Sequence, residues 1–197
     1  MPKITAERRA ARRDHIVAAG WRCVAREGFH KTTMADVINE AGMSAGAVYG
    51  YFRSKNEIIK AISGLAIGQV ADLLQDMGSA TQPVSLADAL QTVLTHIATM
   101  ADHEDGDLTR VGVQAWAESL RDPDIHAIVS ERMGQLRAGF EVVARHAQKD
   151  GLLSSDADPA EVAQVMLGLV PGFALQRLLL GDVTPQSYVA GFRALTA

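Results

Sequence analysis

Apolar residues recur at three- and four-residue spacings along nearly the whole chain, and no stretch alternates strictly enough to be read as a strand. The pattern predicts an all-α protein of about nine helices. A first helix is expected from a cap at Thr5 to Glu27, with Ile16, Ala19, Gly20, Cys23 and Val24 on one face and Gly28 as the stop. Two short helices follow. One runs from Met34 to Ala41, capped by Thr32 or Thr33 and closed by Gly42; the other runs from Ala45 to Phe52, capped by Ser44, with Val48 and Phe52 turned inward. Ser54 and Glu57 stand at the spacing of a capping box and open a long helix towards Met77.

Beyond the loop Gly78 to Pro83, Leu86, Ala89, Leu90, Val93, Ile97 and Met100 repeat at helical spacing up to an acidic break at His103 to Asp107. Leu108, Val111, Ala115 and Trp116 mark a further helix. The pairs Asp122-Pro123, Asp158-Pro159 and Thr184-Pro185 each join a capping side chain to a proline suited to a first helical turn. The helix between the last two pairs is apolar on nearly every side from Val162 to Leu180, with a Pro171-Gly172 pair expected to kink it. Its stretch free of charges and amides, Val165 to Leu175, falls short of the ~20 residues that a membrane span needs. Such a helix has more apolar surface than one core covers, which predicts a homodimer through Val162 to Leu180 and the last helix around Tyr188 and Phe192.

Charge changes the picture more than composition does. The net charge of −4 divides into 11 Lys/Arg against 6 Asp/Glu in residues 1–60, and 8 against 17 in the remainder. A basic first third joined to an acidic body suggests a polyanion-facing module attached to a part that does not touch the polyanion. The two short helices with their glycine-containing turn lie in that basic third. They form a helix-turn-helix, whose second helix can enter the major groove of DNA. Arg8, Arg9, Arg12 and Arg13 crowd the start of the first helix, as a solvated face or as an arm along the DNA.

The stretch Thr32 to Lys55, TTMADVINEAGMSAGAVYGYFRSK, closely resembles the signature of the TetR family of bacterial transcriptional repressors, and the similarity reaches back through Gly28-Phe29 to Ile16. The resemblance implies a DNA-binding head, residues 1–55, and a body, residues 56–197, that binds a ligand and dimerises. It also implies that movement of the long fourth helix carries the ligand's effect to the head. The expected DNA contacts are Thr32, Thr33, Ser44, Ala45, Gly46, Ala47, Tyr49, Gly50, Tyr51 and Lys55. Thr32 or Thr33 would offer hydroxyl and N–H groups to a phosphate oxygen, and Gly46 would admit the duplex close to the backbone. Tyr49 and Tyr51 would supply hydroxyls, and Lys55 would neutralise a phosphate.

Where family members commonly carry Lys or Arg, Ser or Thr, and His, this chain has Ala45, Ala47 and Gly50. A helix so poor in long polar side chains is expected to read thymine methyls and DNA shape more than hydrogen-bond patterns.

In the body, Met100, Trp116, Met133, Phe140 and Phe173 are the expected lining of a site for an apolar, aromatic or multi-ring effector. The other reading is a constitutive DNA-binding or architectural protein whose body is only a scaffold. No nucleophile elbow, phosphate loop, dinucleotide fingerprint or His-Glu-x-x-His motif occurs, and no two histidines stand three or four residues apart. No catalytic residue, metal ligand or cofactor is therefore expected. The lone Cys23 is expected to be a small buried hydrophobe. With a charged start that lacks an apolar leader core, it agrees with a cytoplasmic protein that makes no use of a membrane.

Overall fold

The computed structural model describes residues 5–101 and 106–196, apart from the side chains of residues 65–69 and 108. Of the expected acidic break, residues 103–105 lie outside the described residues. All regular structure in the described part is helical: α1 (Ala6–Lys31), α2 (Met34–Ala41), α3 (Ala45–Tyr49), α4 (Lys55–Gly78), α5 (Leu86–Ala101), α6 (Leu108–Ser119), α7 (Pro123–Lys149), α8 (Pro159–Leu179) and α9 (Pro185–Thr196).

Local chemistry sets most of these boundaries. Thr5, Ser44, Ser54, Asp122 and Asp158 each accept a backbone N–H from the first turn that follows. At Ser54 the predicted box closes differently, because Glu57 reaches past the cap to the N–H of Arg53 at 2.7 Å. Pro123 and Pro159 occupy first turns, where the missing N–H costs nothing. Gly28, at φ 81°, breaks α1 where the sequence predicts a stop, but a further turn carrying Phe29 continues to Lys31. α3 ends at Tyr49 rather than Phe52, because Gly50 to Phe52 already turn towards α4.

α1, α2 and α3 pack with the first turns of α4 around Ile16, Val24, Val37, Val48 and Phe52. At the α1–α4 crossing, a methyl group on Gly20 would stand 2.5 Å from a methyl carbon of Ile58, so only glycine fits this approach. Arg22 Nε donates to Glu40 Oε1 at 2.7 Å, which ties α1 to α2 and holds the Glu40 carboxyl below its usual range. Cys23 is fully buried, and burial pushes its thiol up, away from the reactive thiolate.

The head's core does not stop at the head. Val111 of α6 and Ile125 and Ile128 of α7 belong to the same cluster, while a second cluster around Leu74, Leu90, Phe140 and Phe173 fills the body. α4 contributes Ile58, Ile59 and Ile62 to the first cluster and Val70 and Leu74 to the second, and it packs most extensively on α7. Polar links run alongside. His30 pairs with Glu118 of α6, Asn56 donates to Asp124 at 3.1 Å, and Lys60 to Glu131 at 2.7 Å.

α8 has the length and apolarity of a membrane-crossing helix, yet one face, with Ala163, Met166, Val170, Phe173 and Ala174, is buried against the body. The opposite face carries Val165, Leu175 and Leu179, all exposed, at helical spacing. On α9, the residues expected at a dimer contact are half-buried within the chain itself. Tyr188 stacks edge-on against Phe173 with ring centres 5.6 Å apart, and Phe192 packs on the body core, so Leu195 is the exposed apolar residue there.

Candidate nucleic-acid interface and body cavity

α3 is placed by its own inward residues. Val48 and Phe52 are buried, which turns Ala45, Gly46, Tyr49 and Gly50 to solvent beside the exposed cap Ser44, with Ala47 half-buried. Tyr49 is 49% exposed, unusually open for a large side chain. Two arginines of α1 lie beside the turn that follows α3. Arg9 stands over the Tyr51 ring at 6.0 Å and Arg13 over Phe52 at 5.3 Å, while Arg8 and Arg12 point to solvent. The surface around α3 is thus small-residued at its centre and cationic at one flank.

The start of α2 is arranged differently from the expectation. Thr32 is buried, and its hydroxyl donates to the Gly28 carbonyl at 2.8 Å, closing the broken end of α1 rather than facing a phosphate. Thr33 is exposed but forms a reciprocal capping box with Asp36, whose carboxylate is held below its usual range by those bonds. The box occupies the N–H groups of Thr33 and Asp36 from within the chain. Two adjacent threonines look alike in sequence, and only the fold separates the buried one from the cap.

Lys55 is half-buried and donates to the Phe29 carbonyl at 2.7 Å, fastening the first turn of α4 to the break in α1. Its ammonium has further donors to offer. Lys55→Ala is expected to lower head stability by about 1 kcal/mol as well as DNA affinity. A phosphate contact by Lys55 would reveal itself separately, as a salt-dependence slope smaller by about 0.9 for specific and random DNA alike. An unchanged slope would leave Lys55 a purely structural residue.

Of the five side chains expected to line an effector site, three come together. Met100, Trp116 and Met133 line a cavity of about 140 Å³ between α4, α5, α6, α7 and α8. Phe140 and Phe173 do not reach it; both are fully buried in the second core cluster. Periodicity identifies inward positions but not which of them meets a void. The sequence reading also missed that Phe29, Ile59 and Ile62 belong to the lining, so a residue of the head forms part of the wall. It missed Arg132 as well, although that residue stands four positions from both Ile128 and Leu136, within the apolar stripe of α7. A dry apolar cavity of about 150 Å³ holds a benzene-sized ring, so this space suits one ring rather than several.

Among the described residues, no three His, Cys, Asp or Glu side chains converge as metal ligands. An exposed short helix beside arginines, carried on an α-helical body with an internal cavity, defines a helix-turn-helix DNA-binding regulator. Comparisons with known proteins agree. Residues 16–62 match the model of bacterial regulatory proteins of the tetR family, and residues 86–197 match the C-terminal domain of BetI-type transcriptional repressors. The chain belongs to the TetR family of transcriptional regulators, and is a regulator rather than an enzyme. It is 29% identical to the transcriptional repressor Rv1474c of Mycobacterium tuberculosis, over 96% of this chain and 94% of that one. Its fold is similar to that of Salmonella enterica GusR, with a TM-score of 0.76 at 22% identity over 98% and 96% of the two chains. It is also similar to SmeT, solved as a complex with triclosan, with a TM-score of 0.75 at 20% identity over 86% and 81%.

Proposed function

We propose that the protein is a dimeric repressor of transcription whose hold on a palindromic operator is released by a small apolar effector in the body cavity. The head, residues 1–55 with the packing support of α4 as far as Ile62, would read the operator through Ser44 to Tyr51. The body, residues 56–197, would bind effector and partner. A repressor acting on DNA in a bacterium would work in the cytoplasm.

One observation carries the reading: the cavity wall includes Phe29, whose carbonyl holds Lys55 at the start of α4. A ligand pressing on Phe29, Ile59 and Trp116 would act on the junction that fixes the head's angle. The repressor Rv1474c, similar along nearly its whole length, and the triclosan-bound fold of SmeT support repression and an apolar ligand respectively. A ligand can loosen DNA only by preferring the conformation that DNA does not, so the coupling must be reciprocal. Operator is therefore expected to weaken effector binding by the same factor by which effector weakens operator binding, as read by calorimetry and fluorescence anisotropy. Trp116→Ala should change effector affinity far more than operator affinity measured without effector. Effector affinity unaltered by operator would indicate a constitutive DNA-binding protein instead.

A further inference from the structure

The cavity is apolar but not neutral. Of its described lining residues only Arg132 is charged, and no carboxylate is among them. Arg132 is 14% exposed along its side chain, too enclosed for water to solvate the guanidinium fully. Its partners are thin. Nη1 donates to Gln135 Oε1 at 2.9 Å, and Nε lies 3.5 Å from Ser63 Oγ. Nη2 rests against the α4 backbone, where a methyl group on Gly64 would approach it to 3.1 Å, and has no acceptor among the described side chains. The nearest carboxylate among the described residues, Glu131, turns Oε1 towards Nη1 at 4.0 Å and accepts from Lys60 through Oε2 at 2.7 Å. One carboxylate thus faces two cations, Lys60 at close range and Arg132 only at 4.0 Å, so among the described residues the guanidinium at the cavity wall is only weakly paired.

From this arrangement we propose that the effector is an apolar carboxylic acid of about one ring's size, bound as its anion, with the carboxylate on Arg132 and the hydrocarbon body among Trp116, Met133 and Phe29. The inference rests on the effector-release reading above and narrows its ligand class. Placing the acid there gives the guanidinium the close carboxylate that the described residues do not, and a planar carboxylate suits its fork of donors. A neutral ligand of the same shape would fill the cavity and leave the charge as it is. Hydrogen bonds to charged groups separate such a pair by about tenfold or more in affinity.

The test is calorimetric titration of the full-length protein at neutral pH with para-toluate, its neutral amide para-toluamide, and toluene. The expected result is binding of toluate about tenfold or more tighter than toluamide, a preference that Arg132→Gln abolishes and Arg132→Lys retains. Equal affinities of acid and amide for the unaltered protein would overturn the proposal without any variant being needed, as would a preference that survives Arg132→Gln in a protein that melts cooperatively. Binding of toluene without toluate would sink the acid and keep an apolar effector. Failure of all three to bind would count against both the acid and the apolar one-ring cavity.

Discussion

If the proposed dimer forms through α8, replacing Val165 and Leu179 together by glutamate is expected to yield a folded monomer that binds a palindromic operator about 10²–10⁴-fold more weakly than the unaltered protein, the avidity lost when two linked heads become one. Both side chains stand on the outer face of α8, 64% and 78% exposed, and neither supports the core on the inner face. Four burial-free carboxylates at a two-fold contact repel one another and lose the apolar area that drives association. Leu195, 88% exposed on α9, extends the same kind of surface. Sedimentation at micromolar concentration would read the state of assembly and thermal melting would confirm the fold. A double variant that stays dimeric would move the subunit contact to another face.

Ala45→Glu is expected to abolish specific binding, by about 10²-fold or more, while leaving melting temperature and dimerisation unchanged. Ala45 is exposed at the start of α3, so the expected cost is a carboxylate carried into a groove lined with phosphates. The same position allows a finer measurement. A thymine whose methyl meets Ala45 or Ala47 should lose affinity when replaced by uracil, with the salt dependence unaltered. Retained affinity in the glutamate variant would show that α3 does not face DNA.

The helices were legible because their ends are local chemistry. A serine or aspartate with a free oxygen, a proline in a first turn and a glycine at positive φ act within four residues, so Asp122-Pro123, Asp158-Pro159 and Gly42 mark their boundaries in one dimension. The same holds for the outward face of α3, which follows once Val48 and Phe52 are turned in. What stayed hidden depends on partners distant in sequence. Thr32 is buried because Gly28 breaks α1 beside it, Lys55 is tethered because Phe29 lies 26 residues upstream, and Phe140 and Phe173 are core because other helices close over them. Arg132 was visible as a charge in an apolar stripe, but the cavity that gives it meaning exists only between packed helices.

Selection of bound sequences from a random duplex library, using the full-length protein with the Ala45→Glu variant as control, tests the central claim most directly. The account predicts enrichment of an inverted repeat whose half-site centres lie about 34–36 Å apart, or a multiple of that, with two chains on each site and none enriched by the variant. Absence of any enriched sequence, or enrichment of single half-sites bound by one chain, would contradict it.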